Sequence, residues 1–364
     1  MKRLGGILLV AVLITATGTL PASAREPVDE SGKIGEAPFR IQIPADWNRG
    51  LVVYAHGYLP PGAAWSPLHD VFTTIFLDRG FALAESGYSS QGWAFKEAIA
   101  ETETLRRHFV EEYGEPDVTL IVGHSMGGLI TLAAIENLPA IYDGALPMCG
   151  PLAPATLFFR DSIFDVLVTF EALFGEALPE EFSPVIETPY LPKDAVSAAL
   201  EADSVLAGTF AVHWEIKREE VADIVTLYHL LYRDIRNRCG GNPIDNTNTV
   251  YSGFGAVEGL NRRISRYAAD PAAFEYLKAY YTPTGFIEDP VIAVHTTYDP
   301  GVPPRWPNSY SMTVALTGNQ EWFVQKWVEA DGHCNIDPDL VAKAFDELLL
   351  WVKEGTHAEP GLVD

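Results

Sequence analysis

Apolar residues recur along this chain in two rhythms, and the alternation between them sets the expected architecture. Phe39, Ile41 and Ile43 alternate with Arg40 and Gln42, the period of a half-buried edge strand. Leu51 to Ala55, Phe81 to Ala84, Val118 to Val122 and Ala145 to Met148 are short continuous runs, as in parallel strands covered on both faces. Between these runs, Val71 to Asp78, Trp93 to Tyr113 and Met126 to Asn137 read as helices, the second with apolar positions three and four residues apart. Residues 25–37 are polar and glycine-containing, which predicts a loose segment ahead of the first strand.

After Cys149-Gly150 the rhythm changes. From Pro151 to about Pro290 the pattern is mostly helical, punctuated at Pro179, Pro184, Pro189, Pro192 and the turn Gly240 to Pro243. Ala155 to Leu178 predicts a helix that is apolar on nearly every face, whereas Val221, Ile224, Val225, Tyr228, Leu231 and Ile235 form one stripe. Strands resume at Val291 to Val294 and Trp322 to Val328, and an amphipathic helix from about Pro338 to Glu354 closes the chain. The expected fold is therefore α/β, a mostly parallel sheet flanked by helices. Residues 25–150 and 291–364 form its core, and 151–290 are a helical insertion.

The first 24 residues stand outside that plan. Lys2 and Arg3 lead an apolar run from Leu4 to Leu20 that closes on Ala22-Ser23-Ala24, the pattern of a secretory signal peptide cleaved after Ala24. Three threonines interrupt the run, which argues against a retained membrane anchor. The expected location is extracellular or periplasmic.

The formal charge is −24, from 25 Lys plus Arg against 49 Asp plus Glu, and removing Lys2 and Arg3 takes it to −26. Such a balance provides no basic stripe for nucleic-acid phosphate and disfavours anionic membrane surfaces. A hydrophobic content of 48% permits a sizeable core. No second run of about 20 apolar residues follows the leader, so no stable membrane insertion is expected. No zinc-type spacing or phosphate loop occurs, and neither metal nor organic cofactor is expected.

The sharpest chemical feature is Gly123-His124-Ser125-Met126-Gly127-Gly128, directly after an apolar strand and directly before a helix. A serine hydroxyl becomes a useful nucleophile when a tight turn holds it exposed, and flanking glycines let the backbone make that turn. The amide of Met126, at the helix start, is one candidate donor to a developing oxyanion. A second is the Tyr58 amide, in the loop Ala55-His56-Gly57-Tyr58 that follows an earlier strand. Of nine histidines only His333 lies in the loop directly after the final strand, in Ala330-Asp331-Gly332-His333-Cys334, where it can reach back over the serine. His56 and His124 are expected to be held by backbone contacts, and His213 and His229 to be packing or surface residues of the insertion. Asp299, after the strand from Val291, is preferred as the acid that orients the imidazole; Asp143 and Asp331 are the competitors.

The order Ser125, Asp299, His333 with the intervening sheet resembles the α/β-hydrolase superfamily over residues 38–355, most closely secreted bacterial esterase-like members with a helical lid after the sixth strand. Tyr58-Leu59-Pro60 departs from the glycine-rich oxyanion loop of one esterase branch. The resemblance implies a Ser-His-Asp triad and an acyl-enzyme route to the hydrolysis of carboxylic esters, and the acidic balance with the apolar insertion points to small neutral ones. A serine peptidase or amidase, with Glu215, Glu219 or Glu220 as amine binders, is the alternative, and a non-catalytic binding protein on the same scaffold a third reading. Three cysteines allow three pairings: Cys149 with Cys334 is favoured because both fall at the rim of the expected site, with Cys149 to Cys239 next.

Overall fold

In the computed structural model, the described residues are 26–180, 183, 185, 190–255 and 259–363. The expected signal peptide, 1–24, lies outside them. The sheet-forming first part comprises β1 (Val28–Ile34), β2 (Ala37–Ile43), β3 (Gly50–Ala55), α1 (Asp70–Leu77), β4 (Ala82–Ser86), α2 (Phe95–Tyr113), β5 (Val118–His124), α3 (Met126–Asn137) and β6 (Gly144–Met148). Helices follow: α4 (Ala155–Phe158), α5 (Asp165–Phe174), α6 (Lys193–Ala202), α7 (Ser204–His213), α8 (Val221–Cys239), α9 (Leu260–Arg263) and α10 (Pro271–Ala279). The sheet resumes with β7 (Val291–Tyr298), α11 (Arg305–Thr317), β8 (Phe323–Asp331), α12 (Pro338–Glu354) and β9 (Gly361–Leu362).

The strands form one sheet in the order β1-β2-β4-β3-β5-β6-β7-β8-β9. Every neighbouring pair from β4 to β9 is parallel; β1 with β2 and β2 with β4 are antiparallel. Alternation along each strand feeds two apolar layers. On β3, Leu51, Val53 and Ala55 join the layer under α2, α3 and the inserted helices, while Val52 and Tyr54 join the layer under α1 and α12 with Phe76 and Phe345. Burial on both faces explains why these strands are apolar without alternation.

Two expectations need correction, and two elements are additional to those expected. Residues 28–34 are not loose: they form β1, which pairs with β2 through a two-residue turn at Gly35-Glu36, Gly35 having φ +61°. The strand at Phe39 to Ile43 is therefore second from the edge. β1 has no apolar signature because it is a solvent-facing edge held by ladder hydrogen bonds, with the Asp29 carboxylate gripping Arg40 at 2.9 and 2.8 Å. Next, Ala155 to Leu178 is not one helix. A π-helical stretch at Phe159–Phe164 separates α4 from α5, and there Ser162 Oγ accepts from Trp306 Nε1 at 2.8 Å and Arg305 Nη2 at 2.9 Å. Finally, α11 and β9 have no counterpart in the apolar pattern; α11 buries only Trp306, Pro307, Tyr310 and Val314, too few for a clear stripe.

Candidate active site

β5 lies in the middle of the parallel block, between β3 and β6, so its carboxyl end opens on the crevice where α/β sheets place ligands. There the chain turns from strand to helix within one residue, Ser125, at φ 58° and ψ −124°. A non-glycine residue in this region costs about 1–3 kcal/mol, which the surrounding packing must offset. The turn needs its glycines: a Cβ on Gly127 would fall 2.0 Å from the Ala55 carbonyl oxygen, and one on Gly123 2.4 Å from that of Gly127. The Ser125 amide donates to the Met148 carbonyl at 2.9 Å, fixing the elbow against the end of β6.

His333 and Asp299 reach this serine from separate loops. Asp299 follows β7 directly; its Oδ1 accepts from the amides of Gly301 at 2.9 Å and Val302 at 2.8 Å, and its side chain is fully buried. Its Oδ2 accepts from His333 Nδ1 at 2.7 Å. That bond puts the imidazole proton on Nδ1 and leaves Nε2 free to accept from Ser125 Oγ, also at 2.7 Å. The His333 loop is pinned where β8 ends: the Gly332 amide donates to the Tyr298 carbonyl and Thr296 Oγ1 to the Gly332 carbonyl, at 2.8 and 3.1 Å. Cys334 is bonded to Cys149, the favoured pairing, and Cys239 is the free, half-buried thiol.

A cavity of about 120 Å³ opens at Ser125. Tyr58 and Met126 line it together with the apolar side chains of Trp93, Phe158, Leu227 and Leu231. The loop after β3 lies against Ser125, since a Cβ on Gly57 would sit 3.1 Å from the Cβ of that serine. Both residues proposed as oxyanion donors thus border the same space as the serine, and the Met126 amide opens α3, where the helix dipole favours negative charge.

The model of a tannase-like family of unknown function (DUF6351) matches residues 32–161, less than half of the chain. No curated protein sequence matches. Among solved structures, an esterase from Aspergillus oryzae superposes with a TM-score of 0.53 at 12% identity, covering 92% of this chain and 81% of that one. Feruloyl esterase B from the same organism gives 0.51 at 11%, covering 92% and 80%. Pyrococcus horikoshii acylaminoacyl peptidase gives 0.50 at 9%; this chain covers 42% of that one, and 92% of its own length is aligned. The chain has the α/β-hydrolase fold.

Within that α/β-hydrolase fold the competing residues are engaged elsewhere. The Asp143 carboxylate accepts from the Thr119 amide at 2.7 Å, next to the amino end of β5, and that of Asp331 pairs with Lys217 Nζ at 2.6 Å. His56 Nδ1 contacts the Gly57 carbonyl at 2.7 Å and its ring stacks on Tyr88; burial drives its pKa down to about 4. His124 is half-buried beside Tyr54, and desolvation there, with a smaller push from His333, likewise lowers its pKa to about 4. His213 packs on Phe254 and His229 is buried in α8. Glu215 lies 4.0 Å from Arg305, Glu219 is exposed, and Glu220 accepts from Tyr298 Oη; none of the three borders the cavity at Ser125. Among the described residues, no group of three or more His, Cys, Asp or Glu side chains converges as a metal site requires.

His295 is a site neighbour without a sequence motif. Its Nε2 donates to the Val302 carbonyl at 2.8 Å and lies 3.5 Å from Asp299 Oδ2, so it braces the loop that carries Asp299. Burial lowers its pKa and the Asp299 charge opposes that shift. Only its spacing, four residues ahead of Asp299 on β7, hints at the role.

Proposed function

We propose that this protein is an exported serine hydrolase that cleaves small neutral carboxylic esters, with Ser125, His333 and Asp299 as its triad. The observation that carries the reading is the continuous relay from Ser125 Oγ through His333 to buried Asp299, beside an apolar cavity. Ser125 Oγ attacks the ester carbonyl carbon as His333 Nε2 takes its proton. The carbonyl oxygen becomes an oxyanion facing the Met126 and Tyr58 amides, while Asp299 holds the imidazolium through Nδ1. Collapse breaks the bond to the alcohol oxygen, which receives the proton from His333. Water then attacks the acyl-serine with His333 again as base, releasing the acid and restoring Ser125. The His333 side chain is 32% exposed, so the deacylating water has a path to Nε2.

In this reading residues 25–150 and 291–364 are the catalytic unit and 151–290 its cap. Export is supported by the leader sequence and by the Cys149–Cys334 bridge, a bond that persists in oxidising compartments. The amidase alternative loses its proposed amine ligands, because Glu215, Glu219 and Glu220 lie away from the cavity. Labelling with a serine-directed organophosphonate and mapping the adduct tests the nucleophile, and parallel turnover of an ester and its matching amide tests the reaction. An adduct at another residue, or faster amide cleavage, overturns the proposal.

A further inference from the structure

Helix α8 carries Leu227 and Leu231 into the wall of the cavity at Ser125. A cap helix that swings away would leave the cavity size undefined, so the anchoring of α8 decides what the cavity can select. At its amino end, the Glu220 carboxylate accepts from Tyr298 Oη, and that same oxygen accepts from the Lys217 amide at 2.8 Å. Two turns on, Tyr228 Oη reaches the carbonyls of Pro300 and Gly301 at 3.0 and 3.2 Å, within the loop that carries Asp299. Further along, buried Asp234 accepts from the Trp93 amide, and Gly92 packs so closely on this carboxylate that a Cβ there would fall 2.5 Å from Oδ2. At the last turn, Arg238 donates to Ser90 Oγ at 3.0 Å and to the Gln91 carbonyl, and pairs with Glu97 at 3.4 Å.

These contacts recur along the whole helix, about 27 Å at 1.5 Å per residue, and all reach the sheet unit. Opening α8 would exchange all of these bonds for bonds to water at once, each at a modest net cost that is larger where a charged group takes part, so the closed seating is favoured by their sum. The cavity of about 120 Å³ is smaller than the 150 Å³ apolar cavity that holds one benzene molecule.

We propose that α8 is a fixed wall rather than a moving lid, and that Leu227 and Leu231 are specificity-determining residues. They restrict one side of the ester, acyl or alcohol, to an apolar group of about four carbons or fewer. The inference rests on the ester-hydrolase reading above and adds its substrate class. Each methylene that fits contributes about fourfold to the specificity constant through burial, and the first that does not fit reverses the trend.

The test is kcat/KM for two ester series in monomeric solution, p-nitrophenyl esters of lengthening acyl chain and acetates of lengthening alcohol. Each is measured on the wild type, Leu227→Ala and Leu231→Ala, with circular dichroism to establish folding. In one series the wild type should peak at or below four carbons and fall at least tenfold by eight. Either alanine variant should move that peak outward by two or more carbons and raise eight-carbon turnover relative to two-carbon turnover at least tenfold. Adding a micellar ester phase should give no jump in rate. A wild type that prefers eight carbons in both series, folded variants with unshifted peaks, or a rate jump at micelles each overturns the inference. Absence of any Ser125-dependent ester turnover defeats the ester-hydrolase reading itself, a result distinguishable from a wrong chain-length profile.

Discussion

Cys334, the residue after His333, is disulfide-bonded to Cys149, the residue after β6, across 185 positions of chain. Because the Met148 carbonyl beside that bridge also accepts the Ser125 amide, the loop of His333 and the turn at Ser125 share one anchor. Both cysteines have positive φ, 44° and 54°, so each sits in a backbone conformation that the surrounding structure must hold.

Breaking this bridge should damage geometry as well as stability. Closing so long a loop removes about 5 kcal/mol of denatured-state entropy on the chain-entropy model. The paired variant Cys149→Ser with Cys334→Ser should melt at least 5 °C lower and, while still folded, show a larger fall in kcat than rise in KM. Melting curves and steady-state kinetics at a temperature below the lowered midpoint check both. Wild-type kcat in the folded variant would mean that the loop holds His333 without the bridge.

The relay predicts sharply unequal effects for the aspartates. Ser125→Ala and His333→Ala should each lower ester kcat by about 10⁴-fold or more with little change in melting temperature. Asp299→Asn should lose about 10⁴-fold, because the amide cannot hold the productive tautomer of His333. Asp143→Asn and Asp331→Asn should stay within a few fold of wild type, since neither carboxylate contacts the imidazole. A crippled Asp331→Asn with an active Asp299→Asn would reassign the acid.

Stability should depend on pH through Glu85. This side chain is buried in β4, with Oε1 accepting from the Leu68 amide at 2.8 Å and Oε2 among the buried atoms with no partner. Burial raises its pKa from 4.5 to about 7. The folded state then binds the proton more tightly than the unfolded chain, so stability falls as pH rises between these values. Glu85→Gln should gain up to about 3 kcal/mol over wild type at pH 8, and the difference should vanish below pH 4.5. Urea unfolding of both proteins across that range measures it, and an equal gain at pH 4 would exclude titration as the cause.

Charge should act on substrates through the long-range field. A chain with a formal charge of −24 lowers the local concentration of anions near its surface. An anionic ester should be hydrolysed more slowly than its neutral isostere at low salt, and the gap should narrow as ionic strength shortens the Debye length to about 8 Å at 0.15 M. Faster turnover of the anionic ester at low salt would show a local cation outweighing the net field.

Local pattern was sufficient wherever the backbone alone dictates chemistry. The apolar runs of β3 and β5, the glycine-flanked turn at Ser125 and the amphipathic α12 were legible because strand burial, a strained turn and a helical stripe each leave a periodic or compositional mark. β1 was not legible, because an exposed edge strand is stabilised by ladder hydrogen bonds that any residue with an N–H can make. His295 carried no motif either; its role depends on a distance to Asp299 that exists only once β7 and the following loop are folded. The joining of Cys149 to Cys334 and the seating of α8 were likewise decided by tertiary structure. Contacts between residues more than a hundred positions apart arise from chain topology, and a linear pattern can nominate the partners but contains no term for the space between them.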